Sequence, residues 1–366
     1  MSFSSAQKKL IENIQYNCDV SDARDHGIYS MCSMVLKLRN LYKWEQGIEP
    51  WDEPETGDLL DWIEKKENYW ATIVGESYRP LAVNGRELSP HDLEEVNSAL
   101  QNEKILYGAG YGRSLKAVFF LARELERQNV EDCPVIVLGE EIAKEMASPF
   151  AMVQDGEIII RRESLRFFFW DQVQELRSSC RSSLQYAYNH YGLLKDGNLE
   201  QERFKEKLDS IVDGEMDLFI YHEVGEILQT TFDSETLQAL IGRFPGSVIE
   251  FVCRALKDIL ADTHPRGVLS HVIREQRGST LGFYVGFLDG LRAKLFPEMQ
   301  EGWQDFHKSG DWRCIEHARA TCRENNLQLA EKIKRISQMM GDYPDDKITA
   351  RFNTQILETL GLDTPH

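Results

Sequence analysis

The segment Tyr221–Glu226, which reads Tyr-His-Glu-Val-Gly-Glu, has the residue types and spacing that could perform chemistry. His222 and Glu226 are four residues apart, so on a helix they lie on one face, one turn from each other. Imidazole nitrogen and carboxylate oxygen both suit zinc, iron or manganese. Glu223 directly follows the histidine, the position from which the glutamate of H-E-x-x-H hydrolases takes a proton from metal-bound water. The pattern predicts a divalent-metal site with His222 and Glu226 as ligands and Glu223 as general base.

His222 and Glu226 supply two ligands, so a third has to come from further along the chain. His264 and His271 are the candidates, and they are seven residues apart, about two helical turns. His271 falls inside a predicted helix, whereas His264 falls at the start of it. We therefore favour His271 as the third ligand and keep His264 as the alternative.

Residues 114–230 resemble the zincin metallopeptidases, especially the integral-membrane group of that family. The similar elements are a helix over 115–128, a strand over 134–138, Pro149-Phe150-Ala151, a strand over 156–161, a helix from Leu165, and the H-E-x-x-E segment. The resemblance implies a metal-dependent, peptidase-like hydrolase acting on a peptide or small-molecule substrate. It also implies that strand 157–161 is an edge strand on which an extended peptide pairs.

Glu226 stands where that family has its second histidine. This departure supports a second hypothesis, a non-catalytic metal-binding or scaffold protein that keeps a zincin-like core and has lost the reaction.

A glycine cluster supports a third hypothesis. Gly108, Gly110, Gly112 and Arg113 lie between a predicted strand at 104–107 and a predicted helix at 114–128. That is the context of the dinucleotide-binding fingerprint, in which backbone N–H groups at a helix start bind a phosphate. The third glycine comes one residue early for the fingerprint. The alternative is that the glycines only permit a tight turn and close packing.

The elements around these motifs predict an α+β fold that is predominantly helical. Helices are expected over much of residues 1–100 and over most of the chain after 165, and a small mixed sheet over 104–161. Asp155-Gly156 between two apolar runs predicts a β-hairpin. We expect a helical N-terminal region, 1–100, and an α/β core from 101 that continues into a helical C-terminal region. Glycines four apart at 278, 282 and 286 predict tight helix contact, in the core or at a homo-oligomer interface.

Composition narrows the class of partner. The formal charge is −18, which repels nucleic acid and anionic membranes. The seven cysteines are an odd number with no C-x-x-C pair, so a disulfide framework is not expected. The sequence has no stretch of 18 apolar residues and no signal-peptide pattern at its start. We expect a cytoplasmic protein that binds neither nucleic acid nor membrane.

Overall fold

A computed structural model describes residues 3–174 and 181–362. The fold is α+β and predominantly helical, with a small mixed sheet, which confirms the predicted class. The chain divides into two compact units. The first comprises Met1–Asn129 and Pro134–Glu175, and the second comprises Val130–Cys133 and Leu176–His366. The boundary that we expected near residue 100 falls inside the first unit.

The first unit contains five helices and seven strands among its described residues. The helices are α1 (Ser5–Asp25), α2 (Met31–Glu45), α3 (Thr56–Ile73), α4 (Leu93–Leu100) and α5 (Arg162–Gln174). The strands are β1 (Leu81–Val83), β2 (Arg86–Leu88), β3 (Ile105–Tyr111), β4 (Ala117–Val130), β5 (Cys133–Lys144), β6 (Ala151–Gln154) and β7 (Glu157–Arg161). β1 and β2 form a separate hairpin.

The five remaining strands form one sheet in the order β3-β4-β5-β7-β6. β7 runs parallel to β5 and antiparallel to β6. The predicted hairpin at Asp155-Gly156 is confirmed, and φ is +51° and +79° at these residues, as a two-residue hairpin turn requires. Strand 157–161 lies between β5 and β6, so the prediction that it is an edge strand is wrong.

The helix that we predicted over 114–128 is also wrong, because residues 117–130 form β4. Phe119 and Leu121 on one face of β4 pack with Tyr107, Leu10 and Val96. Phe120 on the opposite face packs with residues of β3, β5 and β7. Successive side chains of a strand point to opposite faces, whereas those of a helix are distributed around its axis. The alternation between two buried faces therefore requires a strand. Helices α1 and α4 cover this sheet and therefore belong to the same unit.

Two amide side chains complete the outer edge of β3. Asn97 donates to the carbonyl of Tyr107 over 2.9 Å, and its oxygen accepts from the Tyr107 N–H over 2.8 Å. Gln154 accepts from the N–H of Ala109 over 3.2 Å and donates to the carbonyl of Tyr107 over 3.3 Å. Side chains thus satisfy backbone groups that a neighbouring strand would otherwise bind.

A group of charges is buried in the first unit. Arg161 contacts Glu141 over 2.6 Å and Glu145 over 3.2 Å, and the three side chains are fully buried. Lys144 contacts the second oxygen of Glu141 over 2.7 Å. Ser164 donates to Glu141 over 3.0 Å. The burial of Glu141 is thus compensated by two cations and a hydroxyl group.

The second unit is helical apart from a short hairpin of β8 (Leu194–Lys195) and β9 (Asn198–Leu199). Its helices are α6 (Arg181–His190), α7 (Gln201–Leu228), α8 (Ser234–Arg243), α9 (Val248–Asp262), α10 (Val268–Arg274), α11 (Gly278–Phe287), α12 (Gly290–Leu295), α13 (Glu298–Ser309), α14 (Trp312–Ser337) and α15 (Asp345–Phe352). The predicted tight contact at the glycines of α11 is confirmed: a Cβ on Gly282 would lie 2.7 Å from the carbonyl oxygen of Ser183 in α6. Among the described residues, we find no helix with both the length and the apolar character to cross a membrane.

Candidate metal site

The motif 221–226 lies near the end of α7, a single 28-residue helix. α9 packs against this end. It begins at the N-cap Ser247, whose side chain accepts from the Glu250 N–H. Val252, Leu256 and Ile259 on the apolar face of α9 are buried in the unit. Asp258 and Asp262 are four residues apart on the same helix, so α9 presents two carboxylates one turn from each other.

Gly225, within the motif, sets the distance between the two helices. A Cβ at this position would lie 2.2 Å from the carbonyl oxygen of Ala261 in α9, far inside van der Waals contact. Only a residue without a side chain lets the backbones approach this closely. The glycine therefore determines how near His222 and Glu226 come to the carboxylates of α9.

His222 is oriented by a buried carboxylate. Its Nδ1 lies 2.6 Å from Oδ1 of Asp262, whose side chain is 1% exposed. The other oxygen of Asp262 accepts from Tyr284 of α11 over 3.0 Å and from Arg292 of α12 over 2.8 Å. Side chains of α11 and α12 thus hold the carboxylate of Asp262 in place. This carboxylate in turn holds the imidazole ring of His222. The arrangement leaves Nε2 of His222 as the nitrogen that faces the other side chains of the site.

His222, Glu226 and Asp258 form a cluster with metal-ligand geometry. One ligand atom from each residue lies within 4.8 Å of the other two, and Nε2 of His222 is 3.8 Å from Oε1 of Glu226. The side chains of His222 and Glu226 are 22% and 19% exposed, so the cluster is reachable from solvent. Metal-bound histidines ordinarily give their second nitrogen to a carboxylate, as His222 does with Asp262.

One cation already contacts this cluster. Nζ of Lys257 lies 2.7 Å from Oε2 of Glu226. Glu226 has two carboxylate oxygens, so it can bind Lys257 with one and face Nε2 of His222 with the other. A metal ion would therefore compete with or sit beside an ammonium group here.

Burial and charge shift the pKa values of the site in opposite directions. Burial lowers the pKa of His222, but the attraction of Asp262 outweighs it and the pKa is about 10. Burial raises the pKa of Glu223 to about 7, against the opposing effect of His222. Burial also raises the pKa of Asp258. Glu223 can thus exchange a proton near neutral pH, as a general base or acid must.

Comparison with known proteins gives a family and no activity. A family of unknown function, DUF6866, matches twice: its N-terminal domain model covers residues 9–161, and its C-terminal domain model covers residues 166–355. The chain belongs to the DUF6866 family. No curated protein and no solved structure matches it. The His222–Glu226–Asp258 cluster lies in the DUF6866 C-terminal domain, whereas the sheet lies in the N-terminal domain.

The two histidines that we predicted as third ligands lie elsewhere in the DUF6866 C-terminal domain. His271 stacks on Tyr221, with ring centroids 3.7 Å apart, and its Nε2 is 3.5 Å from Asp217. His264 accepts from the N–H of Arg266 over 3.2 Å. The structure brings Asp258, rather than His264 or His271, to His222 and Glu226. The pair Asp258 and Asp262, four apart on a predicted helix, is the signal that could have indicated it.

The glycine cluster of the DUF6866 N-terminal domain is part of a hairpin. Gly108 and Gly110 lie within β3, and the N–H of Gly112 donates to the carbonyl of Lys116 over 2.8 Å. A Cβ on Gly108 would meet the ring of Phe120, its partner on β4, at 2.0 Å. The backbone of Arg113 follows in the turn, and its side chain lies outside the described residues. The helix start on which the phosphate hypothesis rests is therefore replaced by a strand.

Proposed function

We propose that this chain is a metal-dependent hydrolase whose ion is held by His222, Glu226 and Asp258. The observation that carries the proposal is the carboxylate–imidazole pair: Asp262 holds Nδ1 of His222 over 2.6 Å, while Nε2 lies 3.8 Å from Oε1 of Glu226. Three protein ligands and an accessible fourth position are typical of catalytic zinc sites. Zinc, iron and manganese all fit the donor set, because it combines one imidazole with two carboxylates.

The residues around the cluster can carry the remaining chemistry. A divalent metal supplies Lewis acidity and lowers the pKa of a water that it binds. Glu223 directly follows His222 in α7, is buried, and would accept the proton of that water. Arg292 and Tyr284 would act through Asp262 by holding it in place. The substrate class in this proposal is a peptide or a small molecule with a hydrolysable bond.

A second candidate is metal binding without catalysis, and the position of Lys257 favours it. Its ammonium group already occupies one oxygen of Glu226, which reduces the negative charge offered to an ion. The zincin-like resemblance stays a prediction. One of its implications, an edge strand at 157–161 on which a peptide pairs, does not hold, because this strand is internal to the sheet. In either case we propose a cytoplasmic location, supported by the odd number of cysteines.

Metal content and turnover test the two candidates together. Full-length protein purified without chelators is expected to contain about one equivalent of zinc, iron or manganese, measured by plasma mass spectrometry. His222→Ala and Asp258→Asn are expected to lose the metal, because each removes one of the ligands. His264→Ala is the matched control and is expected to retain it, because this histidine lies outside the cluster.

The role of Glu223 separates catalysis from simple binding. Glu223→Gln is expected to keep the metal and to lose about 100-fold or more in turnover of a hydrolysable substrate. Metal that survives in His222→Ala would overturn the ligand set. The wild type could contain metal and still turn over no substrate in ester, peptide and phosphoester libraries. That outcome would support the second candidate, metal binding without catalysis.

A further inference from the structure

The first unit contains a cavity of about 240 Å³ between α2, the segment after β5, and α5. It is separate from the cluster on α7 and α9. Its charged lining consists of Lys37, Lys144 and Asp171. Asp171 is already held by Arg39 over 2.9 Å and by Asn40 over 2.6 Å. Lys144 is likewise paired, with Glu141 over 2.7 Å, so Lys37 is the cation of this lining that forms no ion pair among the described residues.

Lys37 has capacity for a further hydrogen-bond acceptor. Among the described residues, its ammonium group donates to the carbonyl oxygen of Ala147 over 3.3 Å and lies 5.1 Å from the ring centroid of Tyr29. An ammonium group has three N–H donors. Burial lowers the pKa of Lys37, and an anion bound beside its ammonium group would raise that pKa. Lys144 is committed to Glu141 over 2.7 Å and adds positive charge nearby.

Asn40 offers an acceptor that is not satisfied by the described residues. Its Nδ2 donates to Asp171, but its Oδ1 is buried without a hydrogen-bond partner. A buried carbonyl oxygen left unpaired costs free energy, so such a group calls for a donor from water or a ligand. The rest of the lining combines the rings of Phe150, Phe167 and Phe168 and other apolar side chains with four polar residues, Ser33, Ser148, Ser164 and Gln172.

We infer that this cavity binds a small hydroxycarboxylate with an apolar body. Its carboxylate would accept from Lys37, its hydroxyl would donate to Oδ1 of Asn40, and its apolar part would pack on the phenylalanine rings. An ammonium group on the ligand would be repelled by Lys37 and Lys144. A hydroxyl group is therefore the donor that matches Oδ1 of Asn40. The volume of about 240 Å³ admits a molecule smaller than a nucleotide or a drug-sized ligand.

Calorimetric titration of the full chain with three related probes tests each contact. The probes are phenyllactate, hydrocinnamate, which lacks the hydroxyl, and the diol made by reducing the carboxylate of phenyllactate. Phenyllactate is expected to bind at one site per chain. Hydrocinnamate is expected to bind about 10-fold more weakly, because it loses one hydrogen bond. The diol is expected to bind about 10- to 100-fold more weakly, because its hydroxyl accepts from Lys37 without the negative charge of a carboxylate.

Variants identify the partners of each group. Lys37→Met is expected to weaken phenyllactate binding about 10- to 100-fold. Asn40→Leu should make phenyllactate and hydrocinnamate bind with equal affinity, because it removes the acceptor of the hydroxyl while its loss of the hydrogen bond to Asp171 affects both carboxylates alike. Lys65→Met, an exposed lysine on α3, is the matched control and should bind phenyllactate like the wild type.

If Lys37→Met fails to fold, protection of Lys37 from reductive methylation by phenyllactate, followed by mass spectrometry, gives an independent measurement. Absence of phenyllactate binding up to about 10 mM would overturn the inference. Equal affinity for the diol, or a Lys37 that methylates at the same rate with and without phenyllactate, would also overturn it.

Discussion

Glu141 shows how strongly the first unit depends on single charged residues. Burial by itself raises the pKa of this carboxyl, but Arg161 and Lys144 outweigh burial and hold the pKa at about 2. A buried ion pair adds little to stability as a whole, yet removing one partner leaves the others as uncompensated charges. Glu141 has two such partners, so its loss is expected to cost more than the loss of an exposed acid.

We expect Glu141→Gln to lower the free energy of unfolding at pH 7 by about 3–5 kcal/mol, measured by urea denaturation. Glu64→Gln, an exposed acid on α3, is the control and should change it by less than about 0.5 kcal/mol. An equal effect of the two substitutions would contradict the role of the buried group.

The same residue gives a pH dependence. Because the folded pKa of about 2 lies below the usual value of 4.5, the contribution of Glu141 is fully present above pH 4.5 and is lost as the pH falls towards 2. The difference in stability between wild type and Glu141→Gln should therefore shrink across that interval. A difference that stays constant between pH 6 and pH 2 would show that the carboxylate charge is not responsible.

At the residue scale, the sequence predicted two of the three residues of the candidate cluster. His222 and Glu226 were predictable because both lie on one helix at a spacing fixed by helical geometry. Asp258 was missed because it reaches the site through the packing of α9 on α7. No local pattern in α7 indicates which neighbouring helix will supply the next ligand. A histidine is also a more specific indication of a metal ligand than one aspartate among many acidic residues.

At the scale of elements, the contact between α7 and α9 depends on Gly225. We expect Gly225→Ala to lower the free energy of unfolding by about 1–3 kcal/mol or more, because the new methyl group would meet the backbone of Ala261. It should also reduce metal content, since moving α7 away from α9 separates His222 from Asp258.

Gly242→Ala on α8 is the matched control. Its Cβ would meet nothing within 4 Å, so it should raise stability by about 0.5–1 kcal/mol through helix propensity. Chemical denaturation with metal analysis of the same samples checks both effects. A Gly225→Ala protein as stable and as metal-loaded as the wild type would show that the close approach is unnecessary.

β4 explains why one element was assigned the wrong type. Its first half, from Ala117 to Ala122, is buried on both faces, while its second half, from Arg123 onwards, is mostly exposed and rich in Arg, Glu and Gln. Those residues favour helices locally. Pairing with neighbouring strands overrides that preference, and local sequence does not contain this information. The Asp155-Gly156 hairpin was predictable because its turn residues and its partner strands lie within one short segment.

At the scale of the whole molecule, two compact units with their own cores replace the division that we expected near residue 100. The two domain models of the family meet between residues 161 and 166, close to the boundary between the two units after Glu175. The sequence did not reveal this boundary, because the helices before residue 100 pack on a sheet that comes later in the chain.

We therefore expect two transitions in differential scanning calorimetry, since chains with separate cores commonly depart from two-state unfolding. Glu141→Gln should lower the temperature of one transition, and Gly225→Ala should lower that of the other. The two substitutions lie in different units, so each serves as the control for the other. A single transition lowered by both would show that the chain unfolds as one cooperative body.

The amide side chains on the edge of β3 have a consequence for how copies of this chain behave when concentrated. Asn97 and Gln154 bind the N–H and carbonyl of Tyr107 and the N–H of Ala109. An open strand edge is a template on which another chain can add a strand and begin a fibril. At the middle of this edge, the Tyr107 N–H and carbonyl and the Ala109 N–H are already bound by the molecule's own amide side chains. A strand from another copy would have to displace Asn97 and Gln154 before it could pair there.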